Sequence, residues 1–215
     1  MFHITPRDTA VVLTDPQNDF LSPGGAGYHL TNEVIAHNNT VANLEYLLAT
    51  AKYYGYLVFV SPHYLYPFEH EWENMSPIET EMLVKLKVYS KESQYVMPPP
   101  GSDFVDVLKP YILDGQTIIT SPHKVTGPQT NDLAFQLTKR GIKKVILAGV
   151  MSNLCVESHM RDLIERGFQV AVVHDATAAP GMESYNAAMV NYKFFASAIW
   201  DTVQACNEMK NALQQ

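Results

Sequence analysis

The clearest indication of the fold is the segment Val145-Ile146-Leu147-Ala148-Gly149-Val150-Met151-Ser152-Asn153-Leu154-Cys155. Its first four residues form a continuous apolar run, which is typical of a strand buried on both faces. A glycine ends the run, and a predicted helix follows over Leu154–Arg166. The thiol of Cys155 therefore lies near a helix N-terminus, where positive partial charge favours the thiolate. The cysteine could act as a nucleophile or pack in the core, because free cysteine is among the most buried residue types.

The same change from apolar run to helical period recurs along the chain. Strands are predicted at Thr9–Leu13, Tyr56–Val60, Thr117–Thr120, Val145–Ala148, Phe168–Val173 and Ala198–Trp200. Helices are predicted at Thr31–Tyr54, Gln129–Arg140, Leu154–Arg166 and Glu183–Phe195, with a last helix from about Thr202. Strands that alternate with helices require crossover connections. The sequence therefore predicts an α/β fold, a three-layer α/β/α arrangement around a roughly six-stranded parallel sheet.

The length of 215 residues fits one domain over residues 1–215. The segment 62–101 departs from the alternation because it is rich in proline and aromatic residues. It contains a predicted short helix at Ile78–Tyr89 and the run Pro98-Pro99-Pro100-Gly101. Loops of this length in compact domains often cover active sites, so we expect a lid-like excursion here.

Composition excludes several classes of partner. The net charge of −7 and the lack of a Lys/Arg cluster argue against binding to nucleic acid or to an anionic membrane. No apolar stretch reaches membrane-spanning length, and the N-terminus lacks signal-peptide features. The chain has only 2 cysteines, which favours a reduced, cytoplasmic setting. Charged residues make up only 17% of the chain, which leaves room for a self-association surface.

Reactive side chains follow three of the predicted strands. Asp15 follows the first strand, His123 and Lys124 follow the third, and Cys155 follows the fourth. Ligands of parallel sheets bind at the carboxyl ends of the strands, so these groups are expected at one rim. A carboxylate can hold a nearby lysine charged or take its proton, and a charged lysine lowers the pKa of a nearby thiol. The assembly could then pass a proton to a leaving amine. His123 competes with Lys124 as the base, and the chemistry indicated is attack of a thiolate on a carbonyl or nitrile carbon.

Three ordered motifs carry a resemblance to a known superfamily. They are Asp15-Pro16-Gln17-Asn18-Asp19-Phe20 with Gly24-Gly25 downstream, then Lys124, then Gly149-Val150-Met151-Ser152-Asn153-Leu154-Cys155-Val156, and Arg161-Asp162, Gly167-Phe168 and Asp175-Ala176 also fit. The chain resembles the isochorismatase-like cysteine hydrolases, which include nicotinamidases, N-carbamoylsarcosine amidohydrolases and ureidoacrylate amidohydrolases. The similarity runs from about residue 8 to about residue 195.

The resemblance implies a mechanism and a site. It implies a cofactor-free cysteine hydrolase that cleaves a non-peptide C–N bond in a small amide, carbamoyl or ureido compound through a thioester. Asp15, Lys124 and Cys155 would form the catalytic triad. A cis peptide bond is expected at Val150–Met151, with the backbone N–H groups of Met151 and Cys155 as the oxyanion hole. Expected substrate-binding residues are Gln17, Phe20, His63, Tyr64 and Gln129. Family members are commonly dimers or tetramers, so a homo-oligomer is expected.

Two departures from the family pattern bear on the substrate. Nicotinamidases bind a divalent metal through an Asp-x-His motif, but this chain has Ser61-Pro62-His63 there and no second histidine near residues 98–102. We therefore expect no metal and no nicotinamidase activity. The segment Gly127-Pro128-Gln129-Thr130 replaces the usual Ser-Gly/Ala-Phe triplet beside the pocket. Vinyl-ether hydrolysis of isochorismate and a non-catalytic or redox-sensing role remain the alternative functions.

Overall fold

A six-stranded parallel β-sheet forms the centre of the protein in the computed structural model, which describes residues 2–82 and 101–213. The strands are β1 (Thr9–Thr14), β2 (Leu57–Ser61), β3 (Ile118–Ile119), β4 (Lys144–Val150), β5 (Gln169–Ala178) and β6 (Ala198–Trp200). They are ordered β3-β2-β1-β4-β5-β6, and every neighbouring pair is parallel. The predicted parallel sheet is therefore confirmed. The order reverses between β1 and β4, which opens a crevice at their carboxyl ends.

Both faces of the sheet are covered by hydrophobic cores. Along β1, Val11 and Leu13 belong to one core, whereas Ala10 and Val12 belong to the other. Successive side chains of a strand point to opposite faces, so a strand that is apolar throughout can supply both cores. Because both faces of the sheet are buried, the strand sequences are continuous apolar runs.

Helices supply the two outer layers. They are α1 (Asn18–Leu21), α2 (Tyr28–Asn38), α3 (Thr40–Tyr53), α4 (Pro77–Thr80), α5 (Lys109–Ile112), α6 (Leu133–Lys139), α7 (Glu157–Glu165), α8 (Gly181–Phe195) and α9 (Thr202–Asn211). Helices α2, α3 and α9 bury residues in one core, and α6, α7 and α8 bury residues in the other. Within residues 2–82 and 101–213, none of the helices has the length and apolarity needed to cross a bilayer.

The helix predicted over Gln129–Arg140 begins only at Leu133, as α6, after a 3-10 turn over Pro128–Thr130. Local geometry also changes two other predicted helices. The helix predicted over Thr31–Tyr54 is divided into α2 and α3, because Asn39 has a left-handed φ of 56°. The helix predicted from Leu154 begins as a wider π-helical turn over Ser152–Val156 before it continues as α7. Both changes redirect the chain near the carboxyl edge of the sheet.

The expected lid-like excursion is described only in part. A 3-10 turn over Pro67–Glu71 and the short helix α4 belong to it. The helix predicted at Ile78–Tyr89 coincides with α4 at its start, and its residues 83–89 lie outside the described residues. The run at 98–100 lies outside them as well.

Candidate active site

Strand β1 delivers the Asp15 carboxyl group to the crevice. Asp15 is only 2% exposed and has a left-handed φ of 49°. Its backbone N–H donates to the Ser61 carbonyl at 3.1 Å, and its carbonyl accepts from the Gln17 N–H at 2.7 Å. A left-handed conformation is unusual for a residue with a side chain, although aspartate tolerates it better than most. Such conformations persist where the surrounding structure holds them, and they concentrate at functional sites.

Strand β4 delivers the thiol of Cys155. Gly149 has a φ of 113°, and a Cβ atom on it would collide with the Thr14 carbonyl on β1. Only glycine fits this close approach of the two strands. The Val150–Met151 peptide bond is cis. The π-helical turn Ser152–Val156 follows and contains Cys155. Cys155 is only 9% exposed.

The carboxyl group of Asp15 contacts both the thiol and an imidazole. The Cys155 thiol donates to the Asp15 carboxylate, and the backbone N–H groups of Met151 and Cys155 donate toward the sulfur. The Nε2 atom of His123 lies 2.7 Å from Oδ1 of Asp15. Side-chain atoms of Asp15, His123 and Cys155 all lie within 4.8 Å of one another, a spacing that a metal ion would also require. The short hydrogen bond between His123 and Asp15 accounts for this contact without an ion.

Burial sets the protonation of this pair. Burial raises the pKa of Asp15 to about 6, against the opposing effects of His63, His159 and the Cys155 hydrogen bond. Burial, followed by the negative charge of Asp15, raises the pKa of the Cys155 thiol well above its ordinary value. The two backbone N–H groups act in the opposite direction but are weaker. The sequence led us to expect a thiolate, but desolvation disfavours the charged form more strongly than the helix end favours it. The resting thiol therefore needs a base in contact with it.

Three buried histidines surround Asp15. The His123 ring centroid lies 4.9 Å from that of His63 and 4.9 Å from that of His159. Burial lowers the pKa of His63 to about 4 and the pKa values of His123 and His159 to about 3, so all three are neutral at pH 7. His159 bonds through Nδ1 to the Cys155 carbonyl at 2.7 Å, so it braces the helix start.

Lys124 is oriented toward the excursion. Its Nζ atom lies 2.7 Å from Oε2 of Glu69 and 4.0 Å from the centroid of the Tyr66 ring. These are the contacts of its ammonium group among the described residues. Lys124 still lines the same cavity as Asp15 and Cys155. The structure thus brings two members of the expected triad into contact and places the third on the cavity wall.

One cavity opens beside the thiol. It encloses about 550 Å³ free of protein atoms, counted out to its mouth. Its described wall is mainly apolar and consists of Asp15, Phe20, His63, Leu65, Trp72, Ile78, Glu79, Met82, Lys124, Val125, Thr126, Val150, Met151, Leu154 and Cys155. Apolar walls with a few convergent polar groups are typical of sites for small organic ligands.

Comparison with known families identifies the family of this chain. The family model of the isochorismatase domain matches residues 9–202, which is most of the chain. This chain belongs to the isochorismatase family. The ureidoacrylate amidohydrolase RutB of Pantoea ananatis (strain LMG 20103) is 26% identical over 229 residues, covering 98% of this chain and 86% of that protein. RutB of Acinetobacter baylyi (strain ATCC 33305 / BD413 / ADP1) is also 26% identical, covering 98% and 87%.

Solved structures share the fold of this isochorismatase-family protein. A cysteine hydrolase from Pseudomonas syringae pv. phaseolicola 1448A superposes with a TM-score of 0.81 at 18% identity, covering 99% of this chain and 97% of that one. An isochorismatase family protein from Desulfovibrio vulgaris subsp. vulgaris str. Hildenborough gives a TM-score of 0.73, also at 18% identity. This chain therefore shares its overall fold with these two proteins.

Only some of the expected substrate-binding residues line the cavity of this isochorismatase-family protein. Phe20 and His63 do so. Gln17 is fully buried, and its amide bonds the backbone of His63 and Ser102 at 2.8–2.9 Å, so it ties the excursion to β1. Tyr64 packs against the core and Gln129 is exposed, and neither belongs to the described cavity wall.

Sequence reasoning missed the residue that pairs with Lys124. Glu69 is buried, and its Oε2 also accepts from the Tyr66 backbone N–H at 2.6 Å. Glu69 stands three positions after Tyr66, the N-cap residue of the turn, and Pro67 is the first residue of the turn. This spacing is a capping signal that is visible in the sequence. The apolar wall residues Leu65, Ile78 and Met82 were also missed, because the excursion has no regular hydrophobic period.

Proposed function

We propose that this protein is a cysteine hydrolase that cleaves a non-peptide C–N bond in a small amide, carbamoyl or ureido compound. The observation that carries the proposal is the thiol of Cys155, which contacts the Asp15 carboxylate and two backbone N–H groups on the wall of an apolar cavity. A nucleophile, a base in contact with it and a pair of N–H donors are the parts that acyl transfer needs. The similarity to ureidoacrylate amidohydrolases supports this bond type.

Acylation begins with the proton of the thiol. The Asp15 carboxylate takes that proton, and the sulfur of Cys155 attacks the substrate carbonyl carbon. A C–S bond forms, and the carbonyl electron pair moves to the oxygen, which accepts hydrogen bonds from the N–H groups of Met151 and Cys155. The Asp15 carboxyl then gives its proton to the nitrogen, the C–N bond breaks, and ammonia or an amine leaves. A carboxyl group with a pKa near 6 suits both transfers at neutral pH.

Deacylation uses the same groups in the reverse order. The Asp15 carboxylate removes a proton from water, and the hydroxide attacks the thioester carbonyl carbon. The C–S bond breaks, and the sulfur recovers its proton from Asp15. No cofactor is required by these steps. These steps do not use Lys124, the third catalytic residue expected from the sequence, and a homo-oligomeric assembly stays a prediction.

The cavity wall restricts the substrate. Phe20, Leu65, Trp72, Ile78 and Met82 would face the group attached to the carbonyl carbon or to the nitrogen. Burying one methylene group contributes about 0.8 kcal/mol, so a substrate with an apolar side group gains affinity over one without it. We therefore propose compounds that carry an aliphatic or aromatic group beside the amide or ureido function.

The test is turnover on a panel of such compounds, with release of ammonia or amine as the readout. We expect Cys155→Ala to lower kcat by at least about 1,000-fold, because the covalent route is lost. Cys206→Ser is the matched control, since Cys206 is the second cysteine and lies on α9 outside the cavity. Intact-mass measurement on rapidly quenched wild-type enzyme should reveal an acyl adduct on Cys155.

Other outcomes select the alternative functions. Turnover that persists in Cys155→Ala would contradict the covalent route. Release of pyruvate from isochorismate would favour vinyl-ether hydrolysis. Absence of turnover across the panel, together with reversible oxidation of Cys155, would favour a redox-sensing role.

A further inference from the structure

We propose that His123 is the residue that positions the Asp15 carboxyl group for proton exchange with Cys155, and that its neighbour Lys124 holds the wall of the substrate cavity together with Glu69. This inference rests on the proposed function, since it assigns roles within the same site. It reverses the assignment expected from the sequence, in which Lys124 is the partner of Asp15.

The hydrogen bond between His123 and Asp15 is short and buried. Nε2 of His123 lies 2.7 Å from Oδ1 of Asp15, and the two side chains are 0% and 2% exposed. Hydrogen bonds to an ionised acceptor are shorter and about twice as strong as neutral ones. With one oxygen held by the imidazole, the carboxylate cannot rotate freely, and its contact with the Cys155 thiol is fixed.

His123 is itself held in place. Its backbone N–H donates to the Pro62 carbonyl at 2.9 Å, and it forms a parallel bridge with His63. The rings of His63 and His159 pack on it from two sides, with interplanar angles of 35° and 75°. A side chain locked by backbone pairing and ring contacts can hold another group in a defined position.

His123 donates as a neutral imidazole. Burial and the charge of Lys124 lower its pKa to about 3, so Nε2 carries the single ring proton that the Asp15 carboxylate accepts. The other ring nitrogen, Nδ1, is buried without a hydrogen-bond partner in the described structure. The groups that face this pair are His63, His159, Cys155 and Lys124. The negative charge therefore stays on Asp15, where a proton can be taken from the thiol.

Lys124 forms an ion pair with Glu69 rather than with Asp15. Its ammonium group pairs with Glu69 at 2.7 Å and lies over the Tyr66 ring, and the paired side chains are 13% and 9% exposed. Glu69 in turn accepts from the backbone of Tyr66, so the pair fastens the turn Pro67–Glu71 beside the cavity. Because the charge of Lys124 is satisfied by that turn, its contribution is to the shape of the wall on which substrate binds.

The test compares His123→Gln, His123→Leu and Lys124→Met in the full-length chain, in the presence of a chelator. Two readouts are measured against pH, the steady-state kcat and KM and the rate at which iodoacetamide labels Cys155. Glutamine can still donate to Asp15 through its amide nitrogen, whereas leucine cannot. We expect His123→Leu to lower kcat by about 100-fold, within the range typical of lost acid–base function, and His123→Gln to recover at least about 10-fold of it.

The pH profile separates positioning from a merely structural role. Loss of the hydrogen bond to the ionised carboxylate raises the pKa of Asp15, so the acid limb of both profiles moves above pH 6 in His123→Leu and returns toward the wild-type position in His123→Gln. Lys124→Met should leave kcat within about 10-fold and raise KM, since it loosens the wall without touching Asp15.

The opposite pattern would overturn the inference. A Lys124→Met variant that is folded but as inactive as Cys155→Ala, beside near-normal His123 variants, would assign the role to Lys124. If His123→Leu does not fold, the comparison of His123→Gln with Lys124→Met decides. If no compound is turned over, the pH profile of Cys155 labelling still tests the inference. An acid limb that shifts only in the His123 variants supports the positioning role of His123. An acid limb that shifts only in Lys124→Met refutes it. Failure of the proposed function and failure of this inference are thus distinguishable.

Discussion

At the scale of single residues, the proposed mechanism makes activity depend on the protonation of the buried Asp15 carboxyl group. Burial raises its pKa to about 6, and only the ionised form can take the proton of Cys155. We expect kcat/KM to fall as the pH is lowered through about 6. The fall should approach about tenfold per pH unit, as expected for the protonation of one group. The measurement is kcat/KM from pH 4.5 to 8 on a compound from the panel.

The isosteric variant Asp15→Asn is the control for that profile. Asparagine tolerates the left-handed φ of 49° and keeps the size of the side chain, so the fold should be retained. Its kcat/KM should fall by about 100-fold or more because the base is lost, and the acid limb near pH 6 should disappear. An unchanged limb in Asp15→Asn would show that another group governs it.

At the scale of secondary-structure elements, the close approach of β1 and β4 depends on one glycine. A Cβ atom at Gly149 would collide with the backbone of Thr14, and the φ of 113° is strained for any other residue. We expect Gly149→Ala to lower the free energy of unfolding by about 3 kcal/mol or more, because both strain and overpacking arise in a central strand. Urea denaturation followed by circular dichroism measures it.

A second glycine provides the matched comparison. Gly167 also has a positive φ, of 89°, but nothing lies within 4 Å of a Cβ atom built there. Gly167→Ala should therefore cost only about 1–2 kcal/mol, the conformational strain alone. Equal losses in the two variants would show that the contact with Thr14 is not what requires glycine at position 149.

At the scale of the whole molecule, the buried histidines make stability depend on pH. The pKa values of His63, His123 and His159 are lowered to between about 3 and about 4, whereas an unfolded histidine titrates near 6.5. Between pH 4 and 6, unfolding takes up about three protons at these residues and releases about one at Asp15, whose pKa is raised on folding. This cluster therefore destabilises the fold by about 2–3 kcal/mol for each pH unit lost in that range.

The check is the free energy of unfolding measured by urea denaturation between pH 4.5 and 7. We expect His159→Gln to reduce the slope of stability against pH by about one proton, or about 1.4 kcal/mol per pH unit. The same substitution at exposed His37 is the matched control variant. A slope that His159→Gln does not reduce would contradict the assignment of neutral buried histidines.

The sheet and two of the reactive side chains, Asp15 and Cys155, are predictable from the sequence. Apolar runs such as Val145–Ala148 identify strands buried on both faces, and alternation with helices requires the parallel order. Because all carboxyl ends then meet at one edge, the sequence is sufficient to predict Asp15 and Cys155 as neighbours. The motifs around them were sufficient to indicate the family.

Which of His123 and Lys124 contacts Asp15, and whether the Cys155 thiol is protonated, depend on tertiary packing. Neighbouring residues of an extended chain point in opposite directions, so the choice between His123 and Lys124 depends on the register of β3 and the chain beyond it. Pairing of β3 with β2 and the bridge between His63 and His123 set that register. The protonation of Cys155 likewise depends on burial beneath distant segments, and desolvation acts through the whole surrounding structure rather than through the local sequence.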